Sequence, residues 1–130
     1  MDNQLPLIDD IEWAKKALTR SQGEQPYTEK QIDEMEAGFA LDMLVTTALN
    51  APNVFPYSQD NCLTHKLLFD IQVQGKQYSL ESASSTGLVT CWIWYIVSGV
   101  EHEISATDMN INVAICKAIV KDWLGFNAIS

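Results

Sequence analysis

Ten consecutive residues, LVTCWIWYIV at positions 88–97, restrict the folds open to this chain more than any other stretch. The run has no turn-former and is rich in β-branched and aromatic side chains, a composition that suits a strand. Alternation along a strand sends Val89, Cys91, Ile93, Tyr95 and Val97 to one face and Thr90, Trp92, Trp94 and Ile96 to the other. A strand that is apolar on both faces belongs in the middle of a sheet, with cover on both sides. Its most apolar part, CWIWYIV, is far too short to cross a bilayer as a helix.

The neighbouring segments supply partners for that strand. Residues 77–83 (QYSLESA) alternate Tyr78, Leu80 and Ser82 with polar side chains, and the polar SASSTG stretch at 82–87 reads as a hairpin turn. That stretch lacks the Gly-Lys-Ser/Thr ending of a phosphate loop. Ser98–Gly99 is a tight-turn signal, so residues 100–106 (VEHEISA) form the third strand. The Glu101-His102-Glu103 cluster marks this strand as an edge, with charges that discourage further pairing. It sends both glutamates to one face and His102 to the other, so the three do not chelate one ion. His65, the other of the two histidines, lies on a helix well before this strand.

Helical periodicity appears on both sides of the strands. Residues 9–20 (DDIEWAKKALTR) place Ile11, Ala14 and Leu18 at helical spacing, with acids leading and bases trailing. SQGEQPY at 21–27 is a connector. Thr28 and Gln31 make a capping-box pattern, and a second helix is expected from there to Asn50, before Pro52. Gly38 falls inside it, at a cost in helicity. In NVFPYSQD (53–60), Pro56 holds Phe55 extended and Ser58 is the expected N-cap of a third helix running to Ile71, with Tyr57 as a staple. The last helix is expected to start near Thr107 or Asp108, to carry Ile111, Ala114, Ile115, Ala118, Ile119 and Trp123 on one face, and to stop at Gly125. The expected fold is α+β: a three-layer α/β/α sandwich around a small antiparallel three-stranded sheet, with an extra N-terminal helix. Residues 1–27 form the N-terminal helix and linker, and residues 28–130 the domain.

Charge and cysteine content bound the function. The chain has 130 residues with 17 acidic and 8 basic side chains, a formal net charge of -9. Sequence-independent grip on nucleic acid, or on an anionic membrane surface, requires the opposite sign. Cys62, Cys91 and Cys116 are odd in number and widely spaced, which fits buried reduced thiols and a cytoplasmic setting. The opening MDNQLPLIDDIEWAKK has no basic region followed by an apolar core, so no secretory signal is expected.

Three segments carry a family likeness: GFALDMLVTTALN at 38–50, PYSQD at 56–60 and NVAICKAIVKDWLG at 112–125. In order and spacing they resemble the phage ABA-sandwich domain, over roughly residues 38–125. His65 stands where that family often has a tryptophan. The resemblance implies a sheet between helical layers, a bacteriophage or prophage origin and no catalytic residues.

The acidic residues form the candidate site. Asp9, Asp10, Glu12, Glu24, Glu29, Asp33, Glu34 and Glu36 crowd the first 36 residues, with Trp13 and Tyr27 as aromatic anchors. A solvated helix face is the simpler account of them. The functional account is a surface that engages a basic host protein. Together with the phage context that the resemblance implies and the missing signatures of catalysis, metal binding and cofactors, this leads to the expectation of a non-enzymatic, phage-encoded accessory protein that binds and inhibits a bacterial component such as a CRISPR defence system. A protein that sequesters a nucleotide signal is the alternative, with Lys66, Lys76, Lys117 and Lys121 as its few available bases. An enzyme without a recognisable signature ranks below both. A homodimer through the edge strand or surplus tryptophans remains open.

Overall fold

A computed structural model of the chain describes residues 27–126. Four helices and three strands follow in order: α1 (Glu29–Asp33), α2 (Phe39–Leu49), α3 (Asn61–Val73), β1 (Gln77–Ala83), β2 (Leu88–Val97), β3 (Val100–Asp108) and α4 (Ile111–Leu124). The expected α+β class and three-stranded antiparallel sheet are present, in the order β1-β2-β3. The expected helix at residues 9–20 lies outside the described residues.

The sheet follows its sequence signals closely. β2 is central and pairs antiparallel with both neighbours, Ile93 lying between Tyr78 and Ile104 and Trp94 between Gln77 and Glu103. The β2–β3 turn is Ser98–Gly99, both with positive φ (52° and 79°), the two-residue geometry whose twist matches that of the strands. β3 continues to Asp108, two residues past its expected end.

The core is organised around the last helix. Every residue of α4 from Asn112 to Lys121 is buried, although the sequence suggested a single apolar face. Cys91, Ile93, Ile104 and Ala106 of the sheet meet α4 on one side. Leu41, Leu44 and Val45 of α2, with Ile32 of α1 and Leu67 of α3, close it from the others. Each large aliphatic side chain removed from water here contributes about 1.5–3 kcal/mol. Asn110, and not Thr107 or Asp108, caps α4: its side chain accepts from the backbone of Asn112 and Val113 because β3 occupies the preceding residues. Gly125 ends α4 in the left-handed conformation, as expected.

Two helix boundaries differ from expectation. The capping box at Thr28 and Gln31 forms, but the helix it opens stops at Asp33, and α2 begins anew after Gly38. Gly38 has φ +152°, which L side chains rarely adopt, and its N–H donates to Ser58 Oγ at 2.9 Å. Ser58 therefore does not cap α3. It is buried in a 3-10 turn (Tyr57–Gln59), with its own N–H donating to Asp42 Oδ1 at 2.7 Å. Asp60 caps α3 instead, accepting from Cys62 and Leu63. Tyr57, buried beside Ser58, packs into the core from this turn.

Helices cover only one face of the sheet among the described residues. Trp92, Trp94 and Ile96 point away from α4, in register with Ser105, Glu103 and Glu101, and no described helix packs on them.

Candidate protein-binding site

The acidic residues singled out in the sequence separate into three groups. Asp9, Asp10, Glu12, Trp13 and Glu24 lie outside the described residues. Glu29 and Asp33 pair with Lys121 of α4, at 3.3 and 2.5 Å. Lys121 also donates to the Ser105 carbonyl of β3 at 3.0 Å. One turn away, Lys117 donates to the Asp33 carbonyl at 2.5 Å and to Asp108 Oδ1 at 3.2 Å. Both lysines are buried, Lys117 to 1% of its free exposure. Spaced i, i+4 on one face of α4, they fasten the short helix α1 to β3 and α4. Tyr27 is half-buried against the core. The third group, Glu34 and Glu36, is exposed, as is Phe39, and forms no ion pair with a described residue.

The structure also opens a groove that the sequence reading did not anticipate. It has a volume of about 510 Å³ and lies between the end of α2, the connector and α3. Leu49, Ala51, Phe55, Tyr57, Leu63, Leu67 and Val73 line it, with Lys66, Asp70 and Gln74 also on its wall. Asn50 ends α2 in the left-handed conformation (φ 56°) and turns the chain away, and Phe55 packs edge-on against Tyr57 with ring centres 6.1 Å apart. Lys66 and Asp70 form an i, i+4 pair at 3.7 Å. Phe55 and Val73 at the groove, and Phe69 on the same helix as Val73, are exposed. The available signal was Phe69 and Val73 falling off the core stripe expected for α3 at Leu63, Leu67, Leu68 and Ile71, of which Leu63 also lines the groove.

Ionisable side chains converge at one further place. Asp122 accepts from Lys76 Nζ and from the Tyr95 hydroxyl, both at 2.6 Å. The Lys76 ammonium lies 4.5 Å from the Tyr95 ring centre, and the Tyr95 ring stacks on His102 at 4.9 Å. A cavity of about 150 Å³ adjoins this cluster and shares Leu49, Leu67, Asp70 and Gln74 with the groove. The Lys76 cation is neutralised by the Asp122 carboxylate, which also accepts from the Tyr95 hydroxyl. His102 Nδ1 is enclosed with no hydrogen-bond partner among the described residues.

Two of the three thiols, Cys91 and Cys116, are poorly placed for nucleophilic work. Burial pushes Cys91 up to about 12. Cys116 is raised as well, by burial first and then by the charges of Asp42 and Cys91. Tyr57 is raised by burial and, secondarily, by Cys116, Asp70 and Asp42. Cys62 is exposed, in contrast to the expectation for all three, because it occupies a solvent-facing position in the first turn of α3. No group of three His, Cys, Asp or Glu side chains among the described residues is placed to hold a metal ion. No described helix is long and apolar enough to cross a membrane.

Comparison with protein families, curated proteins and solved structures finds no match for this chain.

Proposed function

We propose that this chain is a non-enzymatic accessory protein of phage or prophage origin that acts by binding a bacterial host protein. Its partner presents apolar side chains within a basic surface, and a component of a CRISPR-type defence system is the first target class to test. The open apolar groove bounded by Leu49, Phe55, Leu63 and Val73 carries this reading. It offers area for apolar anchors without a catalytic grouping at its floor. The formal charge of -9 favours encounter with a basic partner. The resemblance to the phage ABA-sandwich domain supports the context.

The nucleotide-sequestering alternative has less to build on. Lys66, Lys76, Lys117 and Lys121 each have a carboxylate partner within the chain, so a phosphate would have to displace an existing ion pair.

The test compares tagged wild type with a Leu63→Glu/Val73→Glu variant in capture from bacterial lysate. Wild type recovers a stoichiometric protein that the variant loses, with the variant's far-UV dichroism unchanged. Equal recovery by both, or recovery of nothing across diverse hosts, overturns the proposal.

A further inference from the structure

One tyrosine lines the groove with its hydrogen-bonding capacity unused. Tyr57 retains only 7% of its free exposure, and its hydroxyl makes no hydrogen bond with a described residue. Among the described residues, His102 Nδ1 is the one fully enclosed side-chain polar atom without a partner. The Tyr57 hydroxyl is therefore reached from outside, through the groove that its side chain lines. Asp70, on the same wall, has a carboxylate that is loosely engaged. Its pair with Lys66 spans 3.7 Å, the longest among the described residues, and the lysine side chain is 71% exposed against 38% for the aspartate. An exposed pair of this kind contributes little. Burial raises the Tyr57 hydroxyl first, and Cys116, Asp70 and Asp42 add to it, which puts the Asp70 carboxylate within electrostatic reach of that hydroxyl.

We infer that the groove takes an arginine side chain of the protein partner, presented between two apolar residues, with its guanidinium set between Asp70 and Tyr57. This rests on the reading of the groove as a protein-binding surface and names the anchor at its centre. A guanidinium carries donors only. It gives a forked pair of N–H groups to the Asp70 carboxylate and a further one to the Tyr57 oxygen. Its plane stacks on aromatic faces, and Phe55 and Tyr57 offer two, set edge-on at 6.1 Å. Lys66 yields its place at little cost, being mostly in solvent already. A lysine anchor would meet the carboxylate as a point charge without the fork or the stacking. An anion could accept from Lys66 and the Tyr57 hydroxyl, but Asp70 and the formal charge of -9 oppose it. Leu63, Leu67 and Val73 supply apolar contact for the flanking residues. The volume of about 510 Å³ is in the range of sites for drug-sized ligands, more than one side chain fills.

Titration of the isotope-enriched full chain with the acetylated, amidated tripeptide Leu-Arg-Leu, followed by nuclear magnetic resonance, tests the anchor directly. Saturable shifts fall on backbone amides of α3 beside the groove, and the Leu-Lys-Leu counterpart saturates at higher concentration. Asp70→Asn weakens Leu-Arg-Leu binding about tenfold, the low end for a hydrogen bond to a charged group, and abolishes the preference for arginine. Lys66→Ala acts in the opposite sense and tightens binding by freeing the carboxylate, a gain that damage to the fold does not produce. Tyr57→Phe weakens binding with far-UV dichroism unchanged. Three results overturn the inference: no saturation by about 10 mM peptide, an arginine preference that survives Asp70→Asn, or tighter binding of Leu-Glu-Leu. The last would assign the groove to an anion held by Lys66 and Tyr57. Failure of the protein-binding reading looks different. Lysate capture that is lost in Leu63→Glu/Val73→Glu but kept in Asp70→Asn refutes the arginine anchor alone, whereas saturable tripeptide binding with no captured protein refutes the reading and leaves the chemistry of the site standing.

Discussion

Replacing Asp108 by Ala tests whether buried Lys117 is held by its ion pair or merely tolerated. Lys117 Nζ has two partners, the Asp33 carbonyl and Asp108 Oδ1, and its side chain is 2% exposed against 27% for Asp108. The pair is therefore unequal. Removing the carboxylate leaves an ammonium inside the protein with one neutral acceptor, whereas removing the lysine leaves a carboxylate that water can reach. Breaking a buried pair from the wrong side costs about 3–5 kcal/mol. The partial exposure of Asp108 places Asp108→Ala near the bottom of that range, at about 3 kcal/mol. Loss of the Asn110 N–H bond to Asp108 Oδ2 is included in it. Lys117→Met keeps the volume and removes the buried charge, leaving the Asp33 carbonyl to bear about 1–3 kcal/mol. In a Lys117→Met background the further loss of Asp108 should cost no more than its hydrogen bond to Asn110, about 1 kcal/mol. At roughly 4 °C of melting temperature per kcal/mol for a chain of this size, the difference is resolved by thermal and urea denaturation followed by far-UV dichroism. If Asp108→Ala is no more harmful in the wild-type background than in the Lys117→Met background, the two groups are uncoupled and the buried-charge reasoning fails.

Raised thiols make stability depend on alkaline pH. Cys91 and Cys116 hold their protons in the folded chain at pH values where the unfolded chain releases them. Their stabilisation is complete below the ordinary thiol value and declines as pH rises through the interval up to the folded values, by about 1.4 kcal/mol per pH unit for each thiol. Urea midpoints that stay flat from pH 9 to 11 would contradict this assignment. A thiol reagent at pH 8 should modify Cys62 within its mixing time and reach the buried pair only as fast as the protein unfolds; rapid modification of all three contradicts their burial. Ser58→Ala removes the acceptor of the Gly38 N–H in a part-buried contact and should lower stability by about 1–2 kcal/mol, and Gly38→Ala by about 1–3 kcal/mol through its φ alone. Denaturant midpoints measure both, and a neutral Gly38→Ala would show that this backbone relaxes readily. Nucleotides should leave the melting temperature unchanged; a ligand at 100 times its dissociation constant would add about 2.7 kcal/mol, so a clear rise would revive the sequestering alternative.

The elements that the sequence specified locally were the readable ones. β1 and β2 have the bounds expected from alternation, and Thr28, Asn50, Ser98–Gly99 and Gly125 act where turn and cap chemistry placed them. The break between α1 and α2 was hidden because Ile32, Met35, Phe39 and Met43 keep helical spacing across it. Periodicity persists through residues 34–38 although the hydrogen-bond ladder does not, and Phe39 is in fact exposed. Ser58 looks like a cap in one dimension, and only the approach of Asp42 and Gly38 in the fold recruits it elsewhere. The candidate site was legible only as composition. Charge counting finds the acids, but it cannot separate Glu29 and Asp33, which meet Lys121, from Glu34 and Glu36, which do not.

That separation bears on how an acidic protein like this one can recognise anything. Two of the carboxylates given a docking role from the sequence, Glu29 and Asp33, are already spent on a lysine of the central helix, and the Asp33 carbonyl is spent on another. Their removal would therefore weaken binding by loosening α1, whatever the partner. Glu34 and Glu36 carry no such duty to a described residue, so charge reversal there isolates steering from stability. A partner recruited by electrostatics responds to Glu34→Lys/Glu36→Lys with a slower association that converges with wild type at high salt. A partner held by the groove keeps its association rate in that variant and dissociates faster when Leu63 or Val73 is changed. The two variants together assign the energy of recognition to charge or to apolar contact, with Val73 the cleaner groove position because Leu63 also packs against the core.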